Sequence, residues 1–297
     1  MKRTITLIFC LFCAYLINSQ NINNRVEDAT GSPMLLGQIN KVGLTKEPFK
    51  NWFNKNYNGY MVNNQIVSTV EDTLKNYNIK IFLGTWCGDS KRQVPRFYKV
   101  LEAAKFPENQ LEVIALNRDS NAYKQSPTGE ERGLNVHRVP TFIFYKDGEE
   151  VNRIVESPKA TFENDIMAIL EGKYTPNYMA ANYLEGLIRT KGIDSLMSME
   201  GDLVSRLSDF VKGSRELNTL GYVKLSAKQI EEAIYVFDLN TKIFPYKPNV
   251  YDSLGEAYLR IENHQQALAN YQKVLQLKPK DKNAIQMIEK IKSTMKE

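Results

Sequence analysis

Sulfur and imidazole are scarce in this chain, which has three cysteines and two histidines among 297 residues. Cys10 and Cys13 fall within the first thirteen residues, so Cys87 stands alone in all that follows. That remainder can hold neither an internal disulfide framework nor a paired-cysteine metal site. His137 and His264 are widely separated and form no HExxH pair, and no glycine-rich phosphate loop occurs. No metal and no cofactor are therefore expected. Charge of one sign is lacking too. The 39 basic and 34 acidic residues give +5, which drops to +3 if Lys2 and Arg3 leave with the first nineteen residues. So mild and interspersed an excess argues against a nucleic-acid partner.

The one long apolar run lies at the start, MKRTITLIFCLFCAYLINSQN. Two cations precede an apolar stretch from Ile5 to Ile17, with small Ser19 available for cleavage. This pattern predicts a secretory signal peptide over 1–19, too short to span a bilayer comfortably. Phe9 and Phe12, before the two early cysteines, are too bulky for a lipidation site. The mature protein is expected to be exported, free of the membrane and periplasmic in a bacterium. Its odd thiol in an oxidising compartment is then either reactive or intermolecularly paired.

At 42% apolar residues the chain can build packed cores, and its length suits about two domains. Residues 20–44 are polar and turn-rich and read as a flexible leader. A first domain is expected over 45–173. Phe49, Trp52, Phe53 and Tyr57 fall at helical spacing, and a second short helix fits 66–76. Ile79 to Gly84 is a continuous apolar run, as in a strand buried on both faces. Val94, Phe97, Tyr98 and Leu101 form a helical stripe, 111–116 and 141–145 read as further strands, and EEVNRIV alternates like an edge hairpin partner. Ser157 and Pro158 are expected to open a helix carrying Phe162, Ile166 and Ile169.

The rest is helical: a connector over 174–213, then 214–297. Leu220, Gly221, Ala233, Phe237 and Pro245 recur as Leu254, Gly255, Ala267, Tyr271 and Pro279, each displaced by 34 residues. A helix-turn-helix unit of this period resembles the tetratricopeptide repeat, with copies at 214–247 and 248–281 and a capping helix beyond. Gly255 and Ala267 permit close helix approach. Lys224 departs from the second copy, which has Tyr258. Two copies are fewer than independent stability needs, so the connector is expected to pack on the first.

The chemistry concentrates in TWCGDSKRQVP, residues 85–95. A strand leading into Cys87 and a helix starting just after it put the sulfur at a helix N-terminus, where unpaired amides favour an anion. Lys91 and Arg92 add positive charge and Asp89 opposes them. With Pro95 and the later VPTFIFYKDG, residues 79–172 resemble the thioredoxin fold, an α/β domain with a central mixed sheet flanked by helices. The resemblance implies that Cys87 is the attacking nucleophile and that Trp86 shields it. It further implies that Gly88, Asp89 and Lys91 line the site, and that the backbone at Val139 and a cis Pro140 pairs with an extended substrate.

Two residues depart from the family's pattern. Ser90 stands where a resolving cysteine is usual, and Ile81 where a buried carboxylate commonly assists proton transfer. Cys87 could form a mixed disulfide but would need an external thiol to release it. The Ser90 hydroxyl is expected to hydrogen-bond the thiolate, and Arg138 to attract an anionic substrate or steady the sulfur. His137 reads as a solvated loop residue. One reading is a thiol-disulfide oxidoreductase acting on a protein disulfide or small-thiol substrate, with the repeats recruiting a partner polypeptide. The other is a non-catalytic scaffold working through the repeat surface.

Overall fold

The computed structural model describes residues 22–295, so the expected signal peptide lies outside the described residues. The stretch expected to be a flexible leader is, from residue 22, part of the fold. Strands β1 (Arg25–Glu27) and β2 (Pro33–Leu35) pair antiparallel as a small ribbon. β3 (Gly37–Ile39) joins the main sheet, and a short helix α1 (Lys41–Leu44) follows. Met34, Leu35, Ile39 and Leu44 are buried, and the Leu35 amide donates to Thr85 Oγ1 at 3.1 Å. These apolar side chains hold a segment whose polar composition alone suggests a loose tail.

Helix α2 (Lys50–Asn58) buries Phe53, and α3 (Asn64–Leu74) buries Val67, Val70 and Leu74. The Asn63 side chain caps α3 by accepting from the Gln65 and Ile66 amides. Strand β4 (Asn78–Leu83) follows, then α4 (Gly88–Ala103), then β5 (Leu111–Ala115). The hairpin β6 (Thr141–Lys146) and β7 (Glu149–Val155) leads to α5 (Phe162–Leu170). The five-stranded sheet runs β3-β5-β4-β6-β7, with β4 parallel to β5 and the other neighbours antiparallel. Placing β4 at the centre explains its apolar run: Ile79, Ile81, Phe82 and Leu83 have both faces of the sheet covered. A parallel pair needs a crossover, and α4 supplies it.

Helix α5 starts later than expected. Its cap is Thr161, whose Oγ1 accepts from the Asn164 amide, while Asp165 accepts from the Lys159 and Ala160 amides and holds 157–160 in a turn.

Among the described residues beyond Tyr178 the regular structure is all helical: α6 (Met179–Lys191), α7 (Ile193–Ser198) and α8 (Glu200–Ser208) precede two hairpins and a last helix. The hairpins are α9 (Ser214–Ser226) with α10 (Ile230–Ile243), and α11 (Pro248–Arg260) with α12 (His264–Leu277); α13 (Lys282–Thr294) ends the described chain. The 34-residue offset becomes a repeated contact. A Cβ on Gly221 would lie 2.5 Å from the Phe237 ring, and one on Gly255 would lie 3.0 Å from the Tyr271 ring. The helices from α6 to α8 bury Ala181, Leu184, Leu196 and Leu207 in one cluster with Leu217, Val236 and Leu239 of the first hairpin. Lys224, at the position where the repeat pattern fails, is buried between Glu185 of α6 at 2.6 Å and Glu232 of α10 at 2.5 Å.

Candidate active site

Cys87 occupies the N-cap position of α4, with extended backbone dihedrals of −83° and 129°. Its amide donates to the Gly84 carbonyl at 2.8 Å, closing the turn at the end of β4, and its carbonyl accepts from the Lys91 amide. The half-buried thiol donates to the Val139 carbonyl at 3.3 Å. The Val139–Pro140 bond is cis. Thus β4, α4 and the approach to β6, more than fifty residues apart in sequence, converge on one sulfur. Among the described residues Cys87 is the one cysteine, and no group of three or more His, Cys, Asp or Glu is placed to hold a metal.

Trp86 lies over this turn. Its indole N–H donates to the Leu116 carbonyl at 2.9 Å and its ring packs on Tyr123 at 5.9 Å. Gly84 is required by that ring, because a Cβ there would come within 2.5 Å of the indole. Gly88 is exposed. Asp89 pairs with Arg92 at 2.5 Å, so the opposing charges of the first turn cancel locally. Lys91 is partly exposed and makes no ion pair among the described residues.

Three expectations are corrected. The fully buried Ser90 hydroxyl accepts from the Gly84 amide at 3.2 Å and makes no hydrogen bond to Cys87. It sits in the first turn of α4, where it ties the helix to the backbone at the end of β4. Arg138 is not a free cation: it pairs with Glu156 at 2.6 Å, donates to the Arg215 carbonyl at 3.2 Å and lies 4.0 Å over the Tyr178 ring. His137 is buried rather than solvated, with Nδ1 3.3 Å from the Asn135 carbonyl. Burial, helped by the neighbouring Lys124 charge, pushes its imidazolium down to about 3, so the ring is neutral at ordinary pH.

One buried charged group has no counterpart in the sequence pattern. Lys124, in the polar loop 117–135, is only 4% exposed. Its ammonium donates to the His137 carbonyl at 2.5 Å and lies 4.6 Å over the Tyr123 ring, the same ring that packs on Trp86. Burial, then the Arg138 charge, depress its pKa to about 7, while the negative form of Cys87 acts in the opposite direction. One lysine in a long polar stretch carries no periodic signal that marks it as buried.

A family profile described as Thioredoxin matches residues 44–168. A Dictyostelium discoideum protein named for the thioredoxins is 32% identical over 105 residues, 35% of this chain and 92% of that protein. Thioredoxin-1 of Schizosaccharomyces pombe is 32% identical over 89 residues, 30% and 77% of the two chains. Thioredoxin Asp f 29 of Aspergillus fumigatus is 30% identical over 84 residues, 28% and 69%. The helical half has no counterpart inside the profile's match.

Proposed function

The chain belongs to the thioredoxin family, and from that premise we propose that it carries out thiol–disulfide exchange through Cys87, with an external thiol completing each cycle. The observation that carries this reading is a half-buried sulfur at the N-cap of α4, beside Val139 and Pro140, with no second sulfur of a cysteine among the described residues. The Cys87 thiolate attacks one sulfur of a substrate disulfide. The substrate S–S bond breaks, its other sulfur leaves as a thiolate and takes a proton from water, and Cys87 is left in a mixed disulfide. An external thiolate then attacks the substrate sulfur of that bond and releases Cys87. Trp86 shields the sulfur, the backbone at Val139 and Pro140 holds an extended substrate, and Gly88, Asp89 and Lys91 form the rim. Ser90 supports the turn rather than the sulfur.

The same proposal takes the two hairpins as tetratricopeptide repeats over 214–247 and 248–281 that hold a partner polypeptide. Support comes from the matched Gly221–Phe237 and Gly255–Tyr271 contacts. Export directed by residues 1–19 would deliver the thiol to an oxidising compartment.

Turnover of a cystine-containing peptide tests the reading. Reduction should depend on added glutathione and be abolished in Cys87→Ser. Equal turnover in that variant would leave the scaffold reading in its place.

A further inference from the structure

Between the thioredoxin-like half and the helices lies a cleft of about 450 Å³. One wall carries Arg138 and Tyr178; the other carries Lys212, Arg215 and Lys247, with Phe244 beside them. Four of its lining residues are cations, and the one carboxylate is Glu216. Glu216 is buried, and its two oxygens accept from the Ala181 and Lys212 amides, so it faces inward to the backbone. Glu156 neutralises Arg138. Lys212, Arg215 and Lys247 pair with no carboxylate among the described residues. Four cations against Glu156 and Glu216 leave the cleft with a formal excess of two positive charges, and α9 begins beside it with no side chain capping its first turn.

Tyr178 joins this cleft to the sulfur. Its backbone is left-handed, with φ 59° and ψ 46°, a conformation a bulky residue adopts only under constraint. That turn sets its ring between Arg138 at 4.0 Å and Lys212 at 4.8 Å, while its hydroxyl donates to Glu156. Asp89, two residues beyond Cys87, lies close enough to contribute to the rise of that hydroxyl to about 12, behind burial and Glu156. Arg138 immediately precedes Val139, whose carbonyl meets the sulfur. A polypeptide chain extended along Val139 and Pro140 would reach the cleft directly.

We propose that this cleft binds an acidic segment of the polypeptide whose disulfide is presented to Cys87, so that the helical half selects substrates by negative charge. Carboxylates would meet Lys212, Arg215 and Lys247, which are all exposed, so the attraction should respond to salt. The inference rests on the thiol-exchange reading only for the substrate's disulfide; binding of the acidic segment needs no sulfur.

Fluorescence anisotropy of a labelled cysteine-free Glu-rich peptide, with its Gln counterpart as the comparison, separates the two. The Glu peptide should bind wild type and Cys87→Ser alike, weaken as salt is raised, and bind Lys212→Gln/Arg215→Gln/Lys247→Gln about tenfold less tightly. The Gln peptide should bind about as weakly as that variant does. Equal affinity for the two peptides, or an unchanged affinity in the triple variant with its helical circular dichroism intact, overturns the cleft proposal. Loss of turnover in Cys87→Ser with Glu-peptide binding retained bears on the sulfur alone.

Discussion

Lys124 shows how a single residue can carry a cost that the rest of the fold accepts. Its folded-state pKa near 7 lies below the ordinary lysine value of 10.5. Between those two pH values the unfolded chain binds a proton that the folded protein does not, so this residue makes stability rise with pH across that window. Below about pH 7 the full burial cost remains. Replacing Lys124 with Met should remove this slope, which amounts to roughly 4–5 kcal/mol over the whole window. Denaturant melts of both proteins from pH 6 to about 10.5 would show it as converging stabilities at high pH. A constant difference between the two proteins would contradict the assignment. Cys87 itself was legible in the sequence, because a cysteine between an apolar strand and a helical stripe has to sit where the helix begins. Lys124 and His137 were not: burial of a polar segment depends on what covers it, and here Tyr123, Tyr178 and the His137 carbonyl do so.

At the level of elements, the paired helices depend on two glycines with unequal room. A methyl group on Gly221 would lie 2.5 Å from the Phe237 ring, whereas one on Gly255 would lie at 3.0 Å from that of Tyr271. Overpacking typically costs about 1–3 kcal/mol, against a helix-propensity gain of about 1 kcal/mol for glycine to alanine. Gly221→Ala should therefore destabilise by about 2 kcal/mol and Gly255→Ala by less than about 1 kcal/mol. Urea melts of the two variants check the order, and equal effects would show that the hairpins repack freely. The strands β4 to β7 and helix α4 were readable because each is a run or stripe with clear punctuation, and the hairpins because five residues recur at one offset. β3 was not readable. It has three residues, begins at Gly37 with φ +80°, and sits in a turn-rich stretch, yet it pairs with β5 through Gly37–Ala115 and Ile39–Val113. Such a short strand is fixed by its partner and not by its own pattern.

Across the described residues, the apolar clusters of the two halves are separate and polar contacts join them. Asn135 donates to Asn182 at 2.8 Å, Ser226 to the Ser120 carbonyl at 2.9 Å, and Arg138 to the Arg215 carbonyl. Arg138 is the one among these that also stacks on Tyr178 and pairs with Glu156. Arg138→Ala should loosen the junction without unfolding either half: amides in the first turn of α9 should exchange faster, while those of β4 and β5 stay protected. Faster exchange in both regions would mean that Arg138 supports the sheet instead. The docking of the helices beside the sulfur left no trace in the sequence, because Arg138, Tyr178 and Arg215 are distant along the chain and share no periodicity. The fold and the nucleophile could be read from local pattern, whereas the surroundings of the nucleophile arise from long-range packing. The central claim is that Cys87 starts an exchange it cannot finish alone, and intact mass spectrometry of the full chain mixed with a cystine-containing peptide tests it most directly. One peptide half should be found bound at Cys87, persisting until glutathione is added and then released. No adduct on the wild-type protein, or an adduct that discharges without any added thiol, would contradict it.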